Sequence, residues 1–222
     1  FNALNWSTNT LPTLSDDVTI AGGAGTVLIS SAGALAKSLI ANRSLTISGT
    51  GSLTLANASQ ITGQFTLSGG TLDGAGSAAV TGAGGSLVWS GGTMDSGGSF
   101  LLGGGNSGKL YNSLTLNRVF ENQGTLTLGF GSAGATISGA GSIVNTGLLT
   151  AASGTSNTIN TSLVNAFSPT IGTIQLSGVG TTLTATTFPT NDGQIVVGNG
   201  ATFSTGGAAL ANSATSSLVV NA

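Results

Sequence analysis

Between residues 65 and 104 one motif is written twice. The first copy reads Leu67-Ser68-Gly69-Gly70-Thr71-Leu72-Asp73, and the second, at a 22-residue offset, reads Trp89-Ser90-Gly91-Gly92-Thr93-Met94-Asp95. Gly76-Ser77 returns at the same offset as Gly98-Ser99. Apolar positions are exchanged for other apolar ones, while the Ser-Gly-Gly-Thr turn and the Asp are kept. Self-similarity at a period of about 20–50 residues marks a repeat architecture, in which each unit buries its apolar face against the next. The pair reads as two neighbouring coils of a β-solenoid.

A second mark of register lies further along. Asn-x-Gly stands at Asn122-Gln123-Gly124, Asn145-Thr146-Gly147 and Asn191-Asp192-Gly193. The first two are separated by one 23-residue step and the last two by two such steps. The missing member falls at Ser168, where Ser168-Pro169-Thr170 stands instead. The expectation is a structural turn ladder of Asn122, Asn145 and Asn191 with Gly124, Gly147 and Gly193. Asn and Gly both tolerate left-handed backbone angles. Stacked Asn side chains can also hydrogen-bond along the axis, as in amide ladders.

The stretches between turns alternate as half-buried strands do, with apolar outer residues and a polar middle one. Val18-Thr19-Ile20, Leu45-Thr46-Ile47, Leu53-Thr54-Leu55, Phe65-Thr66-Leu67, Leu114-Thr115-Leu116 and Leu126-Thr127-Leu128 are examples. The fold class expected is all-β: a parallel β-helix (β-solenoid) of about ten coils, each of roughly 22–23 residues and three short strands. At a coil spacing of about 4.8 Å this gives a rod of roughly 45–50 Å. Residues 1–15 carry no repeat and contain Trp6 and Pro12, so they read as an N-terminal cap or lead-in; residues 16–222 read as a single solenoid domain. Residues 31–42 hold some helix-forming content, but Gly33 and the flanking strands favour a coil with an outward bulge. Pro169 and Pro189, beside Phe167 and Phe188, mark loops leaving the regular coil.

Composition narrows the function more by exclusion than by pointing. Charged residues make up 5% of the chain and the net charge is −2, so there is no electrostatic footing for nucleic acid. The four basic residues, Lys37, Arg43, Lys109 and Arg118, are too dispersed in sequence to form a patch. With no Cys and no His, thiolate chemistry, the usual catalytic triads and most zinc or copper sites are excluded. No run approaches the roughly 18 apolar residues of a membrane span, so no membrane insertion is expected. The chain opens at Phe1 with no signal-peptide pattern, and reads as a mature form or an excised fragment.

The catalytic candidates are Asp73 and Asp95. If the 22-residue offset is one coil, they stack about 5 Å apart on one edge. Paired carboxylates at that separation serve glycoside hydrolysis, and they could also bridge a Ca²⁺ ion weakly. Against this, both stand in turns, and Trp89, the aromatic in their coils, takes a core-facing position. The expected roles are exposed turn aspartates, with no catalytic residue, no metal and no cofactor. Glycine runs such as Gly103-Gly104-Gly105 are not followed by the helix and Lys of a phosphate loop. Thr125-Leu126-Thr127 and Thr182-Leu183-Thr184 do not recur coil by coil, as an ice-binding face requires.

Residues 65–104, followed by Leu114-Thr115-Leu116-Asn117 through Leu128 and by the stretch from Ile137 to Thr150, resemble the repeats of large bacterial secreted β-helix proteins. These include filamentous-haemagglutinin-like adhesins and autotransporter passenger domains. The resemblance covers residues 16–150 well and the last third loosely. It implies a right-handed parallel β-helix that is exported, stands at the cell surface and acts in adhesion or biofilm, with no shared catalytic residues. The expected function is therefore a non-enzymatic extracellular structural or adhesive solenoid, serving as an adhesin stalk or a head-to-tail surface-filament subunit. Its partners would be itself or further solenoid repeats, and surface glycans. The other readings are a polysaccharide-active β-helix enzyme using Asp73 and Asp95, and a glycan-binding module, for which exposed aromatics are few.

Overall fold

The computed structural model describes residues 2–95, 97–167 and 170–221. Apart from one short 3₁₀ turn, Ala3–Asn5, every regular element among them is a strand. Each strand pairs in parallel with its counterparts one coil away, and these pairings form three columns along the rod. The first column runs Thr26–Ile29, Ser44–Ile47, the opening of Gln64–Asp73, the opening of Ser86–Met94, Ser107–Leu110, Thr125–Leu128, Leu148–Ala151, Thr173–Leu176, Gln194–Val197 and Ser217–Val220. The second starts at Ala34–Ala36 and the third at Asp17–Ile20. The fold is a parallel β-solenoid of about ten coils.

The repeated motif keeps the expected register on either side of its turn, with Leu67 under Trp89, Thr71 under Thr93 and Leu72 under Met94, while inside the turn the ladder shifts and Ser68 pairs with Gly91. The 22-residue period is local, however. The step between first-column strands is shorter from Thr26 to Ser44 and longer from Leu148 to Thr173. Corners absorb the difference, because turns lie outside the ladder and can lengthen without shifting it. Residues 31–42 form two strands, Ala34–Ala36 and Ser38–Ala41, separated by Lys37, rather than a coil with an outward bulge. Backbone pairing to Ser52–Leu55 and Ser59–Ile61 overrides their Ala-rich helix content.

Inward side chains form a continuous apolar core, including Leu45, Phe65, Trp89, Phe100, Phe120, Leu149 and Ile195, all fully buried. Phe65, Phe100 and Phe120 stack with ring centroids 5.7 and 5.3 Å apart. Gly108 occupies an inward position between Leu87 and Leu126, and Leu102 and Leu126 reach into the space its missing side chain leaves. In the lead-in, Trp6 packs against the first coils.

Candidate functional site

The two aspartates, the amide column and one end cavity are the features with chemistry to weigh. Asp73 ends the strand Gln64–Asp73, and Asp95 follows Ser86–Met94. Because Met94 lies over Leu72, and Asp95 donates its N–H to the Leu72 carbonyl at 2.8 Å, the aspartates occupy successive rungs. Both are half-buried rather than exposed. Asp73 Oδ1 accepts the Gly74 N–H at 2.6 Å, and Asp95 Oδ1 accepts from Asn117 Nδ2, one rung on, at 2.9 Å.

A cation joins them that the sequence spacing set apart. Arg118, 3% exposed, folds back across two coils. Its Nε donates to the Asp95 carbonyl at 2.8 Å and its Nη2 to the Leu72 carbonyl at 3.1 Å, with a further Nη2 bond to the Asp95 carbonyl. Burial pushes its guanidinium below the ordinary arginine value, and the negative charges of Asp73 and Asp95 pull it back up. The cluster is thus a clasp. A buried guanidinium ties carbonyls of two coils together while the carboxylates compensate its charge. A cation bound to the pair would meet the positive charge already there, and no group of three or more metal-ligating side chains exists among the described residues.

The amide column is longer and deeper than its sequence mark. Asn122, Asn145, Asn165 and Asn191 are all fully buried. Each Nδ2 donates to the next Oδ1: Asn122 to Asn145 at 2.7 Å, Asn145 to Asn165 at 2.8 Å, Asn165 to Asn191 at 2.8 Å and Asn191 to Asn212 at 3.0 Å. The first three also donate across to the carbonyls of Leu148, Thr173 and Gln194. Ser168, where the missing rung was expected, lies outside the described residues, and Asn165 fills the rung. Neither the Asn nor the Gly residues of the column take left-handed angles. Gly is required for a different reason. A Cβ at Gly147, Gly172 or Gly193 would stand 2.1–2.2 Å from a carbonyl oxygen of the coil beneath. Only a bare backbone approaches that closely.

At the N-terminal end, a cavity of about 700 Å³ lies between the lead-in and the first coils, lined by Trp6, Val27, Ile29, Leu39, Arg43 and Leu45 among others. Its walls mix apolar side chains with polar ones such as Asn5, Thr19 and Ser31, and Arg43 Nη2 is engaged by the Ala24 carbonyl. On the second sheet, Ser52, Thr71, Thr93, Thr115 and Ser138 align in one outward row that the varying coil lengths hide in the sequence. The row is a single file beside Asp73, Asp95 and Asn117. No helix among the described residues is long and apolar enough to cross a membrane.

Sequence reasoning thus found Asp73, Asp95, Asn122, Asn145 and Asn191, and missed Asn165, Asn212 and Arg118. Comparison with known proteins returned no matching family model, no matching curated protein and no matching solved structure.

Proposed function

We propose that this chain is a non-enzymatic structural section of a secreted β-solenoid at a cell surface, a stalk of the adhesin or autotransporter-passenger kind. The observation that carries the stalk over the filament is the direction of the amide ladder. Every Nδ2 from Asn122 onward points to the next coil, so a coil laid over Asn212 must offer an acceptor there. At the same register the first coil of this chain presents Ile20, the start of an apolar run through Ala41, Ile61, Val80 and Leu102. A second copy stacked in register would set an amide donor against an isoleucine, at the cost of an unanswered buried polar group, about 1–3 kcal/mol. Trp6 of the lead-in also packs against the core at that end. Coils that carry the amide onward fit better than a second copy. The clasped aspartates suit the same reading, since their carboxylates and Arg118 are committed to holding coils together.

The test is sedimentation velocity and negative-stain microscopy of the purified chain over a wide concentration range. Separate rods of one length are expected throughout; head-to-tail filaments growing with concentration would overturn the stalk reading.

A further inference from the structure

Corners between the first and second sheets are built from small residues. The residue after each first-sheet strand is Ser30, Ser48, Ser68 and Ser90 in the first four coils, and Ala152, Ser177 and Gly198 in later ones. Two successive central coils bring aromatic rings to this corner. One places Tyr111 at the corner, and the next places Gly129 followed by Phe130.

The two rings meet on the outside of the rod, centroids 5.5 Å apart and tilted by 36°. Phe130 is 52% exposed, so its ring adds little to the core. Its backbone is nevertheless fixed: its N–H donates to the Ala133 carbonyl at 2.8 Å and its carbonyl receives the Ala133 N–H in return at 3.0 Å, across a turn with Gly131 at φ 60°. Lys109 reaches over the Phe130 ring, its Nζ 4.9 Å from the centroid. Among the described residues the salt bridge is Lys37–Asp17, and Lys109 takes part in none. Thr127 lies beside it one rung on, an outward hydroxyl.

We propose that Tyr111, Phe130 and Lys109 form a binding site for an acidic polysaccharide. The rings receive the C–H face of a pyranose, and the Lys109 ammonium receives its carboxylate. Three observations point there. Other large apolar side chains are exposed along the rod, Leu28, Ile40, Phe167 and Val179 among them, but at this corner an exposed ring lies against a second ring and forms a patch rather than a scattered side chain. Aromatic side chains held on a rigid turn have two torsions each and lose little entropy on binding. A cation over an aromatic face, without an acidic partner among the described residues, complements an anionic group on the ligand. Two rings and one lysine cover far less than the roughly 1,200 Å² of a stable protein–protein contact, which favours a sugar chain over a second copy. The proposal does not depend on the stalk reading, since a filament subunit would carry the same corner.

Isothermal titration of the full chain with galacturonic-acid oligomers, and with neutral malto-oligosaccharides of equal length, tests it. The wild type should bind the acidic oligomer and not the neutral one. Phe130→Ala and Tyr111→Ala should each weaken binding roughly tenfold, the loss of one ring contact. Lys109→Gln should weaken it by a similar factor and flatten its dependence on salt. Thermal unfolding of each variant at the wild-type temperature separates lost binding from a lost fold. No binding by the wild type, equal binding of the neutral oligomer, or affinity unchanged in Phe130→Ala and Lys109→Gln would each overturn the site.

Discussion

One inward position can be followed through ten rungs, and its chemistry changes half-way. Ile20, Ala41, Ile61, Val80 and Leu102 fill it in the N-terminal half; Asn122, Asn145, Asn165, Asn191 and Asn212 fill it in the C-terminal half. The backbone geometry is the same, but the forces are not. Apolar rungs gain from burial that has no direction, about 1.5–3 kcal/mol for a fully buried large side chain, and they accept whatever neighbour fills the space. Amide rungs begin with a desolvation cost that is recovered only when each donor and acceptor is met. Their ladder is therefore directional, needs a bare Gly beside each rung from Asn122 to Asn191, and has ends. At the boundary, Asn122 Oδ1 faces Leu102 and finds no donor among the described residues.

The largest effect should come from the apolar half. Phe100 sits between Phe65 and Phe120, and Phe100→Ala should cost about 3–5 kcal/mol in denaturant unfolding. A loss below about 1 kcal/mol would mean that the ring stack does little for the first coils. Next comes a test inside the ladder. Asn145→Leu strands the Asn165 Oδ1 and strips Asn122 of its best acceptor, for an expected loss of about 2–3 kcal/mol despite the added apolar volume. Asn122→Leu should be close to neutral, within about 1 kcal/mol, because it only moves the unanswered acceptor one rung on, to Asn145. Equal losses for the two would break the idea that the ladder has a head.

Arg118 stands where the halves meet, and Arg118→Met tests whether its clasp serves the N-terminal side. The variant leaves the Asp95 carbonyl without its strongest donors and two half-buried carboxylates without their cation. An expected loss of about 2 kcal/mol should appear as faster hydrogen exchange in the strands Gln64–Asp73 and Ser86–Met94. Exchange unchanged there, with protection lost only beyond Asn122, would assign the clasp to the other half.

The same contrast explains what could be read in the sequence. The Ser-Gly-Gly-Thr copies fall in coils of matching length, so their offset equals the true register and places Asp95 one rung above Asp73. The amide column was legible at Asn122, Asn145 and Asn191, where a single position separates Asn from its Gly. It was not legible at Asn165, whose Gly172 follows only after a longer corner; the rung is kept while the spacing is lost. Arg118 left no trace because backbone carbonyls are its partners, and any residue supplies those. Coils of unequal length likewise scatter the outward hydroxyl row and the Tyr111–Phe130 corner out of any fixed period.

The halves also differ in what acid can touch. Beyond Asn122 the single ionisable side chain is Asp192, whereas Asp16, Asp17 and Lys37 cluster on the first coils. Asp17 accepts from the Ser38 hydroxyl at 2.5 Å and from Lys37 Nζ at 2.9 Å, and these bonds, the hydroxyl first, hold its carboxyl below the ordinary carboxylate value. A carboxyl depressed in the folded state contributes stability above its unfolded pKa of about 3.9 and loses it as pH falls through the lower folded value. Amides do not titrate, so the ladder has no such window. Thermal unfolding between pH 7 and pH 2 should therefore fall slightly less steeply for Asp17→Asn than for the wild type, while Asn145→Leu should fall in parallel with it. The effect is small because Asp17 is exposed to solvent and screened by it. Identical slopes for wild type and Asp17→Asn would show that the first coils owe nothing measurable to this carboxylate; a changed slope in Asn145→Leu would show that acid reaches the amide half by a route other than its own side chains.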